Sequence, residues 1–332
     1  MAEPQTVSFG EALGAVGSGI AWAAEQIALG FLHIFQGLYM LLPRSWRGFE
    51  EGDLPGPLYW LAWDGSREVK SSLMTFIYYG GSVEFFFIVF NIVLLISLYG
   101  MVISNRFLWG VVRGLEGFAN VTGRLFAWAG LAMVLQQIVI VFMQRVFTRP
   151  DISFGFGIPL QYDISWFAEM LKLYNALVVA LCVTYTFVQG GHVRVDLIYS
   201  AVKFRTKKII DMFGAIFFMA TSAVLVWMYG WYFLWRHMIN PPVSASDTFD
   251  RMQLKARAMR WSVETIGFSP SGFNGYFLFK ILLVSFAGLV FLHACAFFWR
   301  SYLEWREGEE SANKYLDKDS LGDGEEAYEG TH

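Results

Sequence analysis

Apolar residues in this chain come in long unbroken runs. They show neither the period-two alternation of a half-buried strand nor the one-sided stripe of a soluble helix. A hydrocarbon core of about 30 Å needs roughly 20 apolar residues to be crossed as a helix. Five runs meet that length: 83–104, 125–143, 164–187, 209–235 and 275–299. A sixth, 20–42, carries Glu25, Gln26, His33 and Gln36, with Glu25, Leu29, Leu32 and Gln36 at helical spacing, so that one of its stripes is partly polar. It is expected to span as well, packed on another helix. Hydrocarbon offers no partner to a bare N–H or C=O, which leaves helices or closed barrels, and the missing alternation excludes a barrel. The expected fold is therefore all-α: a polytopic membrane bundle of about six transmembrane helices, four core and two N-terminal.

The connections are unequal. Residues 105–120 and 189–208 read as short loops, whereas 43–82 and 236–274 are long, contain Pro and Gly, and have room for short interfacial helices. The stretch FDRMQLKARAMRWSVE (249–264) has helical spacing and a basic face. Trp231, Tyr232, Trp235, Trp299 and Tyr302 lie at run ends, where an interfacial aromatic belt would be. Arg194, Lys203, Arg205, Lys207 and Lys208 make 189–208 the densest basic loop, which assigns it to the cytoplasm. Alternation then puts 105–120 and both termini on that side, and 144–163 with the long loops outside. The tail from Glu304 is acidic, and its final LGDGEEAYEGTH has the composition of a disordered segment.

Composition agrees. Of 332 residues, 55% are hydrophobic and 16% charged, against about 25% charged in soluble domains. A net charge of −3 excludes the broad basic field of a nucleic-acid binder. Cys182 and Cys295 sit inside apolar runs and read as small buried hydrophobes. The N-terminus has no basic n-region, so no cleaved signal peptide is expected. No Gly-rich phosphate loop, zinc spacing or nucleophile elbow occurs, and no enzyme is expected. A b-type cytochrome or redox-complex anchor is the alternative: His33 and His293 are the one histidine pair within candidate spans. A self-sufficient carrier would show broken midplane helices. Here the ionisable residues in the runs are Glu25, Glu169, Lys172 and Lys280, the last three near helix ends.

That leaves VQGGHVRVDLIYS (188–200), where Gly190 and Gly191 are suited to ending a helix. Arg194 and Asp196 then alternate with valines at headgroup level; if the stretch is helical instead, His192 and Asp196 stand at i and i+4. Either way it fixes a turn between two spans. The residues alone are equally those of an ordinary positive-inside turn.

GGHVRVDLIYS resembles the signature of the DctQ-like small permease subunit of tripartite ATP-independent periplasmic (TRAP) transporters. Two further stretches are similar to that family in order and spacing: ISWFAEML, with Trp166 and Glu169, and MQRVF, with Gln144, Arg145 and Phe147. The resemblance covers about 119–303. It implies an N-terminal extension (1–118), a four-helix domain (119–303) and a cytoplasmic tail (304–332). It also implies a bacterial inner-membrane scaffold for a large, DctM-like elevator permease fed by a periplasmic substrate-binding protein. Organic acids would enter on a sodium gradient, with the sodium sites on the large subunit and no cofactor here. His192, Arg194, Asp196 and Gly191 would brace the cytoplasmic turn. Arg145, Trp166 and Glu169 would lie at the periplasmic rim, with an ion pair expected between Arg145 and Glu169.

Overall fold

The structure is a computed structural model. It describes residues 67–154, 160–190, 202–264, 272–312 and 314–317, together with Gly14, Gly17, Ser18, Gly19, Ala21, Trp22, Ala24 and Glu25. Its helices are α1 (Arg67–Gly80), α2 (Val83–Val102), α3 (Asn105–Val141), α4 (Ile164–Leu181), α5 (Val183–Gln189), α6 (Phe204–Gly214), α7 (Thr221–Arg236), α8 (Phe249–Ala258) and α9 (Tyr276–Glu307). A π-helical turn at Phe142–Val146 prolongs α3, and another at Ala215–Ala220 joins α6 to α7. Five helical stretches are long and apolar enough to cross a membrane: Val83–Val102, Asn105–Val146, Ile164–Leu181, Phe204–Arg236 and Tyr276–Glu307. The protein is an all-α, multi-pass membrane bundle, and each of the five strong apolar runs became one span. The sixth candidate, 20–42, lies outside the described residues apart from Ala21, Trp22, Ala24 and Glu25, which are helical.

Two antiparallel pairs are the strands among the described residues. Strands β1 (Asp151–Phe154) and β2 (Leu160–Asp163) form a hairpin between the second and third spans. Strands β3 (Ile239–Asn240) and β4 (Arg260–Trp261) pair within the long fourth connection, on either side of α8. The helix expected across 249–264 therefore stops at Ala258.

The chain divides into two compact units. The first comprises Met1–Val89 and Trp231–Val263. Its described core joins Leu73, Met74 and Ile77 of α1 to Met252 and Ala256 of α8, with Trp235, Met238, Ile239, Val243 and Met259 from the flanking chain. Thr248 caps α8 by accepting the Arg251 N–H at 3.4 Å, which satisfies one of the donors that every helix start leaves open. Gln253 locks α8 onto α1: its amide donates to Thr75 Oγ1 at 2.9 Å, and its oxygen accepts from Ser71 Oγ. Trp231 and Trp235 are buried here, not displayed as a belt, and the Trp231 Nε1–H donates to the Ile77 carbonyl at 2.8 Å. An indole N–H taken out of water needs such an acceptor.

The second unit comprises Phe90–Gly230 and Glu264–His332. Here the structure departs most from expectation, because 105–120 is not a loop. Ser104 caps α3, accepting the Phe107 N–H at 3.3 Å, and the helix then runs on without a break. With its π turn it spans 42 residues, about 63 Å at 1.5 Å per residue, twice what the hydrocarbon requires. Its buried residues Leu108, Trp109, Val112, Glu116, Ala119, Asn120 and Gly123 recur every three or four positions on one face, the spacing of a packed stripe. That stripe ends where the apolar run begins. From Leu125 to Val141 only Ile140 is buried, while Leu125, Trp128, Leu135 and Ile138 are exposed. Contiguous apolar exposure of this extent marks a surface solvated by lipid. Residue 118 thus falls within α3, and residue 304 within α9.

Within the membrane-length portion the helices are joined by backbone approach and by a few polar bonds. Gln136 Nε2 donates to the Phe167 carbonyl at 2.7 Å. Cys182 Sγ, between α4 and α5, lies 3.3 Å from the Gly123 carbonyl. A Cβ at Gly123 would run into Tyr185 Cβ and Cγ; small residues at such crossings let two backbones close up. Gly123→Val is expected to lower stability by about 1–3 kcal/mol through this overpacking, read as a lower melting temperature of the detergent-solubilised protein.

Candidate functional site

The longest helices meet at one end of the second unit, where their extensions leave the apolar run. Leu108, Trp109 and Val112 of α3 pack on Cys295, Trp299 and Leu303 of α9. Trp299, expected in a belt, is buried there and donates to Ser97 Oγ of α2 at 2.8 Å. Inside this apolar seam lies a chain of charges. Arg300 grips Glu116 with both arms, Nε to Oε1 and Nη2 to Oε2, each at 2.5 Å. Its Nη1 reaches Glu304 Oε1 at 3.4 Å and the Lys314 carbonyl at 3.1 Å. Its guanidinium carbon lies 5.4 Å from the centre of the Trp109 ring. The other oxygen of Glu304 takes Lys208 Nζ of α6 at 2.5 Å, and Lys208 lies 3.8 Å from Asp211.

Three carboxylates thus face two cations across α3, α6 and α9. The Arg300, Glu116 and Glu304 side chains are all less than a tenth exposed. Moving such groups out of water costs several kcal/mol each, and only near-complete pairing offsets it. The bidentate fork supplies that pairing and also fixes geometry, because two parallel N–H···O bonds admit one register. Two outlying contacts hold the helix ends: Trp109 Nε1 donates to Glu307 Oε1 at 2.8 Å, and Arg306 Nη1 donates to the Met101 carbonyl at 2.7 Å. Chemically the arrangement is a clamp with its donors and acceptors turned on one another. Among the described residues no three His, Cys, Asp or Glu side chains come together to hold a metal ion.

The residues singled out from the sequence are distributed as follows. His192, Arg194, Asp196 and Gly191 lie outside the described residues. The helix before them ends at Gly190, which adopts φ 80° and donates its N–H to the Phe187 carbonyl at 3.2 Å, a left-handed cap natural to glycine. Trp166 and Glu169, in the first turns of α4, clasp the chain entering α9. The Trp166 ring stacks on Tyr162 at 4.6 Å and meets Phe273 edge-on at 5.3 Å. Glu169 Oε2 accepts the Phe273 N–H at 2.9 Å and lies 3.5 Å from the Tyr276 hydroxyl. Arg145 does not join them: it is exposed in the π turn, and no ion pair links it to Glu169 among the described residues. The i→i+5 bonding of the π turn shifts Arg145 out of the α-helical phase of the span before it. Lys280 pairs with Glu264 before the last span. His293 is buried, its ring stacked near Phe187 (5.4 Å) and Phe297 (6.3 Å); His33 lies outside the described residues.

Sequence reasoning passed over Glu116 and Arg300, read Lys208 as a charge of the basic loop, and read Glu304 as the start of the tail. A signal was present: Leu108, Val112 and Glu116 recur at i, i+4, i+8, and Arg300 and Glu304 at i, i+4, each on one helix face. The tail expected from Glu304 begins instead after Gly308, and Glu304 is buried in α9. No family model, curated protein or solved structure matches the chain.

Arg300→Ala would leave Glu116 buried without its partner and is expected to cost about 3–5 kcal/mol. The double change Arg300→Met with Glu116→Leu should recover most of that loss, since it removes both charges. Thermal unfolding in detergent checks both, and equal melting of the single and double variants would exclude a net role for the pair.

Proposed function

We propose that the chain is the small scaffold subunit of a TRAP-type secondary transporter in a bacterial inner membrane. It holds a large elevator permease that carries organic acid and sodium, and a periplasmic binding protein delivers the acid. The charged end, with both termini, faces the cytoplasm. The reading rests first on the three sequence stretches that carry the resemblance, and the described parts of all three fall at ends of consecutive spans. MQRV closes the second span within a π turn that Phe147 caps, ISWFAEML opens the third, and Gly190 ends α5, the short helix that follows the third, just before HVRVD.

The clamp supports the same reading on physical grounds. An elevator needs one part fixed while another slides. The fixed part must resist shear between its helices, which van der Waals packing in lipid resists only weakly. A bidentate buried ion pair joining α3 to α9, extended to α6 through Glu304, opposes such sliding because displacement by one turn would strand buried charges. The apolar flanks of α2, α3 and α7 leave ample surface for lipid and for a large partner.

Copurification with a co-expressed large subunit, followed by uptake in proteoliposomes under a sodium gradient, tests the proposal. Uptake is expected only when the large subunit and the binding protein are both present. Transport by this chain alone, or a Soret band in the purified protein, would overturn it. Arg194→Ala is expected to lower complex yield or uptake while the binding protein captures substrate unchanged; full assembly and full uptake would remove the role assigned to Arg194.

A further inference from the structure

After α9 the chain doubles back along α3. Gly308, with φ 93°, ends the helix, and a short 3-10 turn at Glu309–Ser311 starts the return. Tyr315 then lies against the Trp109 ring at 5.6 Å, with the Arg113 guanidinium 5.0 Å from its own ring centre. Tyr315 adopts φ 59°, an uncommon left-handed conformation outside glycine. A backbone held there needs surroundings that compensate for it, so the contacts on both sides of the ring indicate a seated segment. Two residues on, Asp317 ends the described path in a polar recess. Its carboxylate pairs with Arg124 at 3.2 Å and accepts from Asn120 Nδ2 at 3.1 Å. Its carbonyl accepts from Asn120 Nδ2 at 2.8 Å and Gln189 Nε2 at 3.1 Å.

Three features make this recess more than a tail contact. Asn120 is fully buried, and both bonds that its amide N–H groups make run to Asp317. With the tail in place, Asp317 thus supplies the acceptors that a buried amide requires. The ionic half of the contact, by contrast, is open: Arg124 and Asp317 are 43% and 60% exposed, so it is exchangeable and weak. Lastly, the depth is defined. Residues 125–144 contain no Asp, Glu, Lys or Arg, a stretch that rises about 30 Å as helix and so matches the hydrocarbon thickness. Arg124 therefore stands at the boundary where lipid phosphates lie.

We propose that Arg124, Asn120 and Gln189 form a binding site for a phosphate group at the membrane boundary, which Asp317 occupies as a tethered carboxylate. The phosphate is that of an anionic phospholipid headgroup or of a free phosphate ion. A carboxylate on the chain's own tail competes with it, and the site opens when residues 314–317 lift away. The assignment is independent of what the chain transports or assembles with.

The test uses the full-length protein in detergent as wild type, Asp317→Ala, and Asp317→Ala with Arg124→Gln. The altered side chains are about half exposed, and melting curves verify folding. Native mass spectrometry follows the binding of phosphatidylglycerol, with phosphatidylcholine as the background lipid; thermal shift follows inorganic phosphate in parallel. Removing the tethered carboxylate is expected to tighten binding of one of these ligands roughly fivefold, the scale of an exposed ion pair, and the added Arg124→Gln should abolish the gain. A gain for phosphatidylglycerol alone identifies the lipid as the source, and a gain for inorganic phosphate identifies the free ion. Unchanged affinity for both in Asp317→Ala, or a gain that survives Arg124→Gln, overturns the site.

Discussion

The second unit depends on the fork of Arg300 on Glu116. Lipid supplies no hydrophobic drive to hold one apolar helix on another, so two helices longer than the bilayer need some other force to keep their extensions aligned. Here that force is electrostatic and almost fully enclosed. The guanidinium is matched to two carboxylates, a backbone carbonyl and an indole face, and Glu304 passes the connection to Lys208 on a third helix. Such a cluster adds little net stability over an apolar replacement, but a mispaired register would be costly. Its role is thus to specify the arrangement, in a bundle whose lipid-facing surfaces specify little.

Beside the clamp and away from it, several polar side chains within the spans serve their own backbones or a neighbour's. Ser97 returns a bond to the Val93 carbonyl at 2.7 Å while receiving the Trp299 indole, and Thr186 bonds the Cys182 carbonyl at 3.0 Å where α4 gives way to α5. Gln136 bridges two helices through a backbone oxygen. In hydrocarbon each of these groups would otherwise lack a partner, so their placement at helix contacts is a requirement of the solvent. The first unit follows a different rule. Its α1 and α8 bury Leu73, Met74, Ile77 and Met252 completely, a core of the kind water enforces, and its polar contacts at Gln253 and Asp247 lie beside that core.

Much of this was legible in the order of the residues. The five strong runs became five spans because length and apolarity leave a chain in lipid a single backbone solution, and that constraint acts locally, window by window. The glycine pair after Phe187 announced a helix end for an equally local reason, the freedom of Gly190 to adopt positive φ. The short helices in the long connections, and the buried fate of both cysteines, followed from composition in the same way. Tertiary structure alone decided what the polar and aromatic residues at the run ends would touch. Trp231, Trp235 and Trp299 have the positions of an interfacial belt yet lie inside the protein, and 105–120 has the charges of a loop yet continues a helix. Glu116 and Arg300 stand 184 residues apart, and nothing near either one indicates the other. Burial in lipid is a property of a segment and can be read from it; the pairing of charges belongs to two distant segments and exists only once the chain has brought them together.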